Sequence, residues 1–338
     1  FSYYHFSYTH LLTETNLSLG LGYFNHGFRT PSSIFYLSSL FYLPKAEYQL
    51  IHITPIYFMG FVNFILLKKI SKFTKQKKNI FILILSIFSL ALINIFFYRL
   101  AEHGTDRSAQ ILILLIITEI LQKINSKDIS NQNLIINRIL ILSTLTISLK
   151  VFYFVYLILF FVILFYQKSY IKFVINIFKN KIFYLCLFII SLVLLTNIFN
   201  SGCSIYPMSI TCMQDLPWSI SIDEVKHMNQ WYQQWSKAGA TPNFRVENPK
   251  LYIQYFNWLP NWIENYFFNK VSDYLIGLLF LILFFTFMFK NKTITRVGKK
   301  KFLILYFILF LLFIEWFYFH PALRYGGYHL VALLILIP

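Results

Sequence analysis

The sequence predicts an all-α polytopic membrane protein with about nine membrane segments, some short or re-entrant. Interfacial helices precede the first span, and a long, partly helical outer loop interrupts the bundle. Three observations predict this. Hydrophobic residues make up 57% of the chain and charged residues 13%, against about a quarter charged in soluble domains. Apolar runs such as NIFILILSIFSLALINIFFYRL (79–100) and FLILYFILFLLFIEWFYF (302–319) approach the ~20 residues that cross a bilayer. The lysines fall in short clusters between such runs: KKISKFTKQKK (68–78), KSYIKFVINIFKNK (168–181) and KNKTITRVGKKK (290–301). Short basic loops beside spans mark the cytoplasmic side. The net charge of +17 therefore reads as topology. A nucleic-acid binder would gather its charge on one soluble domain, and none is present.

Residues 1–47 form an outer-face segment rich in Tyr, His, Gly and Ser. Ser32 or Ser33 starts an apolar helix over 32–44, too short to span, which lies in the interface or packs on the bundle. A first bundle covers 48–199. Its segments are 48–67 inward, 79–99 outward, 108–122 inward, 134–150 outward, 151–167 inward and 182–199 outward. Residues 108–122 and the tight pair 134–167 give only about 15 residues per crossing, roughly 23 Å of helix, so they read as half-crossings or surface helices. This threading puts 19 of the 30 Lys and Arg inside and ten of the 13 acids outside, with Asp128 inside and Glu119 and Glu315 within spans.

The extracytoplasmic loop covers 200–273. Cys203 and Cys212 either form a disulfide there or are two free buried thiols, while Cys186 lies inside a span. Ser221 with Glu224 makes a capping box for a helix that Gly239 closes. Trp231 and Trp235 share a face, as do Trp258 and Trp262. Beside a bilayer such aromatics read as an interfacial belt ahead of a sugar-stacking platform. Segments 274–289, 302–319 and 329 onward make a second, truncated bundle (274–338). The chain begins at Phe1 without a charged n-region and short apolar h-region and stops about ten residues into an apolar run. It reads as an internal fragment.

The chemistry gathers in RLAEHGTDRSAQILILL (99–115). Asp106, Glu102 and His103 put acid and imidazole at the water-facing mouth of a bundle, which suits general acid–base work or ligation of a divalent metal such as Mg or Mn. The competing reading makes Asp106 a helix N-cap. Arg324, in PALRYGGY, can grip a phosphate in bidentate fashion, and Lys150 is a second phosphate contact. Arg29, before the 32–44 helix, offers an anion site. His5 and Tyr4 join as substrate contacts, with His10 on the same face. Glu315 points into the bundle or a cavity, and Glu119 is exposed near the cytoplasmic end of its segment. No HExxH, GxxxxGK[ST] or CxxC motif is present.

The layout resembles the GT-C-type polytopic glycosyltransferases and their uncharacterised bacterial relatives. The likeness lies in YYHFSYTHLLTETNLSLGLGYFNHGFRTPSSIFYLSSLFYLP, which looks like their first outer loop, in the turn HGTDRSAQILILL, in the Lys150 helix and in the outer HPALRYGGY. It implies transfer of a sugar from a polyprenyl-phosphate donor to a glycan, lipid or protein acceptor, on the periplasmic face of a bacterial inner membrane. In such relatives a catalytic carboxylate sits just ahead of the segment that begins here as FSYYH. Asp106 matches the acidic position of the second outer loop. The expected partners are membrane lipids, that donor and that acceptor, with no nucleic acid. Two other readings compete: a transporter or flippase of a lipid-linked sugar or solute, and a polysaccharide polymerase or ligase.

Overall fold

A computed structural model describes residues 4–43, 45–46, 48–76, 80–97, 104–125, 130–167, 169–240, 246–289 and 302–336. Among these, the regular structure is helical and no strand occurs. The chain divides into two compact units, Phe1–Ile222 and Asp223–Pro338, so the boundary falls inside the 200–273 loop.

In the first unit, α1 (His5–Glu14) and α2 (Ser33–Ser39) pack together. The Ser32 hydroxyl caps α2 by accepting from Ile34 N–H, the local signal that Pro31-Ser32-Ser33 offers. The helix is seven residues long, shorter than the expected 32–44. Tyr8, fully buried, donates to Asn200 Oδ1 (3.1 Å) and meets the Tyr36 hydroxyl at 3.0 Å, tying α1, α2 and the end of a later helix together. Burial raises the pKa of both phenols, so both stay neutral.

Four long helices follow: α3 (Ile53–Gln76), α4 (Ile80–Phe96), α5 (Gly104–Asn125) and α6 (Ser130–Leu149). The centre is α5, buried at every position from Gly104 to Leu121 and packed by α3, α4 and α6. A helix apolar on all sides takes the interior, which its ILILLIITEIL run dictates. The helices here are longer than the apolar runs, α5 having 22 residues and α6 20, about 33 and 30 Å, yet neither is among the described stretches long and apolar enough to cross a membrane. The extra turns come from polar residues at the ends, which hydropathy cannot count. Residues 151–167 are less regular, a 3₁₀ stretch Val151–Ile158 followed by α7 (Leu159–Phe165).

Next come α8 (Tyr170–Phe178) and α9 (Lys181–Ser201). The apolar helix α9 packs on α6 yet leaves most of its length uncovered, with Phe188 61% exposed. Among the described residues it is one of three stretches long and apolar enough to cross a membrane, with Ile53–Lys75 and Leu259–Phe289. After α9, Cys203 and Cys212 are joined by a disulfide.

The second unit starts in α10 (Ile222–Lys237). Its first helical residue follows Ser221, and its end is the predicted one: Gly239 (φ 81°) turns the chain while Ala240 N–H bonds Trp235 O at 2.8 Å. After α11 (Pro249–Ile253), α12 (Leu259–Trp262) runs through a π-helical stretch, Ile263–Val271, into α13 (Ser272–Phe289). Then α14 (Leu303–Phe319) leads through a turn to α15 (Gly327–Leu336), and these two pack together.

The belt reading of Trp258 and Trp262 does not hold. Both indoles are buried, and their N–H groups donate to Tyr255 O and Pro321 O, each at 2.9 Å. They form the unit's core with Phe317. Trp231 and Trp235 do stack, with centroids 5.5 Å apart, on a more exposed face.

Candidate functional site

The first unit holds a small cleft of about 30 Å³ lined from α1 by His5, Phe6 and Thr9, and from α2 by Ile34, Phe35 and Ser38. Its other walls are Ile51, His52 and Pro55 at the start of α3, and Gly104 and Thr105 at the start of α5. Gly104 is required by the close approach, since a Cβ there would stand 2.6 Å from Pro55 Cγ. The lining is mostly apolar, with two imidazoles and three hydroxyls among it. Tyr4 packs edge-on against His5 at 4.3 Å and lies against Gly27.

Asp106 directly follows the two cleft-lining residues of α5. The helix begins at Gly104, so Asp106 is in its first turn rather than at the N-cap. Its carboxylate is buried and pairs with Lys150 Nζ at 2.6 Å. The negative charge is also favoured by the positive end of the helix dipole. Lys150 precedes the 3₁₀ stretch, whose Tyr153 hydroxyl donates to Asp106 O at 3.4 Å. Ser33 and Ser148 hydroxyls meet at 2.9 Å and fasten α2 to the same end of α6. The structure thus brings together Asp106 and Lys150, assigned separately to catalysis and to phosphate. Glu102 and His103 lie outside the described residues.

The other predicted contacts are placed differently. Arg29 is 9% exposed and acts as an internal strut: Nε donates to Gly22 O (3.1 Å), NH1 donates to the Tyr206 hydroxyl (2.7 Å), and the guanidinium lies over the Tyr206 ring. A side chain so engaged is a poor match for the anion site expected of it. Burial, then the Arg29 charge, lowers the pKa of neighbouring His26. Arg324 belongs to the second unit, in a turn that Trp262, Trp316 and Tyr266 hold by hydrogen bonds to Pro321 O, Ala322 O and Leu323 N–H. Its guanidinium sits over Tyr325 at 4.8 Å. Glu315 is half-buried in α14.

Glu119 is the clearest reversal. It is 1% exposed, bonded to Lys69 Nζ at 2.9 Å, with Arg138 NH1 at 3.8 Å. Lys69 also donates to Gln122 Oε1 at 2.6 Å. The helices α3 and α6 cover the face of α5 on which Glu119 sits, which its position near a segment end could not reveal. Sequence reasoning also missed His52, Thr9, Ser38 and Thr105 as cleft residues; the only signal was their nearness to the polar ends of apolar runs. Among the described residues no three His, Cys, Asp or Glu side chains form a metal-ligating group, so the divalent-metal expectation rests on Glu102 and His103.

Residues 2–331 match a family described as a domain of unknown function, DUF8201. The chain belongs to that family. No curated protein and no solved structure matches it. Family membership thus covers nearly the whole chain, both units included, and says nothing of the chemistry at the cleft.

Proposed function

We propose that the protein is an integral membrane glycosyltransferase that moves a sugar from a polyprenyl-phosphate donor to an envelope glycan, lipid or protein. In this reading the apolar helices make about nine membrane segments in a bacterial inner membrane, with α1, α2 and the cleft on the periplasmic side. The carrying observation is the cleft at the N-terminal end of α5, with two imidazoles in its lining and the Asp106–Lys150 pair beginning at the residue after Thr105. An acceptor hydroxyl attacks the anomeric carbon as the bond from that carbon to the phosphate oxygen breaks. The hydroxyl proton passes to His5 or His52. Lys150, fixed by Asp106, meets the charge that develops on the departing phosphate. A divalent metal, if Glu102 and His103 hold one, would add charge stabilisation at the phosphate.

The test uses the protein in nanodiscs with radiolabelled undecaprenyl-phosphate hexoses and a membrane glycan extract. Donor consumption by the parent protein, lost in Asp106→Asn and His5→Ala, supports the proposal. No consumption of any donor, or unchanged consumption in both variants, counts against it. The Lys69–Glu119 pair favours a transporter as the second reading, because ionisable groups buried among spanning helices often line ion or substrate paths. Uptake of a lipid-linked sugar without its cleavage would select that alternative over transfer or polymerisation.

A further inference from the structure

A second cluster of chemistry sits on the first unit beside the cleft. Phe6, His10 and Glu14 lie four residues apart on α1 and so share one stripe of the helix. Phe6 and His10 are nearly coplanar in orientation, 4° apart with centroids at 5.9 Å. Tyr48 crosses the stripe edge-on to both, at 5.3 Å from Phe6 and 5.1 Å from His10, and Tyr42 stands 4.8 Å from Tyr48. The Tyr48 hydroxyl is 2.6 Å from His10 Nδ1 and 3.1 Å from Glu14 Oε1.

That hydroxyl has one proton for two neighbours. It donates to the Glu14 carboxylate, so the short contact to His10 is made by an Nδ1–H donating to the Tyr48 oxygen. An imidazole whose single proton sits on Nδ1 presents Nε2 as an acceptor, and the His10 side chain is exposed. The platform therefore combines four aromatic rings, a ring-nitrogen acceptor and a carboxylate. Aromatic faces suit the C–H faces of a pyranose, and the two acceptors suit its hydroxyl donors. The carboxylate disfavours an anion, which separates this place from any phosphate-binding role.

The platform is also continuous with the cleft. Phe6 belongs to both, and the turn from Tyr48 to His52, closed by Ile51 N–H on Tyr48 O at 3.3 Å, carries the chain from one to the other.

We propose that Phe6, His10, Glu14, Tyr42 and Tyr48 form a subsite for a neutral sugar residue. It is a place for the acceptor glycan, in a role that rests on the transferase reading, although sugar binding there does not.

Saturation-transfer NMR on the protein in nanodiscs tests it directly, with methyl glycosides of glucose, galactose, mannose and N-acetylglucosamine as probes and choline as a cationic control. At least one glycoside should receive saturation from the aromatic protons. Tyr48→Ala should weaken that binding about tenfold, for the loss of a ring and a hydrogen-bonding hydroxyl. Glu14→Gln, an exposed change that leaves the fold intact, should weaken it about threefold to tenfold. Tyr57→Ala, at a 69% exposed position on α3, should leave it unchanged. Glycoside binding by a parent protein that consumes no donor would refute the transferase reading and support the subsite. No glycoside signal, a signal unchanged in both Tyr48→Ala and Glu14→Gln, or binding of choline alone would overturn the subsite.

Discussion

Breaking the Asp106–Lys150 pair should cost unequal amounts depending on which partner is removed. The two charges stand 2.6 Å apart, with the Asp106 side chain 3% exposed and Lys150 27% exposed. At an effective dielectric near 20 their attraction is about 6 kcal/mol, most of it offset by the desolvation of both groups. Lys150→Met strips the cation from a carboxylate that water cannot reach. Removing one partner of a buried pair costs roughly 3–5 kcal/mol, and the partial exposure of Lys150 places the loss at the lower end, about 3 kcal/mol. Asp106→Asn leaves an ammonium on a flexible stem already at the surface, so it can turn to water, and the loss should be about 1–2 kcal/mol. The double variant should recover part of the sum. SDS-titration unfolding followed by tryptophan fluorescence measures all three. Equal losses for the two single variants, or a coupling below about 0.5 kcal/mol, would refute the reasoning.

Other consequences can be measured on the same preparations. Lys237 is fully buried between Trp258 and Tyr318 and donates to Ile253 O, and burial lowers its pKa from 10.5 to about 8. The unfolded chain then holds more protons than the native one between those values, so stability should rise as pH increases from about 8 to 10.5, and Lys237→Met should flatten that rise in a pH series of unfolding curves. Reducing the Cys203–Cys212 bond, nine residues apart, should cost roughly 2–3 kcal/mol by loop entropy, read as a lower midpoint in dithiothreitol that Cys203→Ser abolishes. Asn63 and Asn94 exchange paired amide bonds of 3.1 and 3.2 Å between α3 and α4; either single change to Leu should cost about 0.6–1.7 kcal/mol, with the double change closer to neutral.

Local features were legible in the sequence where the physics is local. Ser32 caps α2, Ser221 precedes α10, and Gly239 closes α10, because each depends on backbone within a few residues. Apolar runs located the long helices. Their ends were not legible, since α5 extends through Gly-Thr-Asp-Arg-Ser, whose polar side chains are buried in a helix packed by α3, α4 and α6. Pairing across sequence distance was equally hidden. Asp106 finds Lys150, Lys69 finds Glu119, and Arg29 finds Tyr206 only after the helices pack. Spacing placed Trp258 and Trp262 on one face correctly but could not say that the face turns inward.

The most direct measurement asks where a lipid-linked sugar sits. A polyprenyl-phosphate hexose carrying a photoreactive diazirine on the isoprenoid unit next to the phosphate would be irradiated with the protein in nanodiscs, and the labelled peptides mapped by mass spectrometry. Labelling concentrated in segments 5–9, 34–38, 51–55 and 104–106, and competed by unlabelled donor, is the result expected of a cleft that binds the donor. Labelling spread along the exposed apolar faces of α9 and α13 and indifferent to competitor would contradict it.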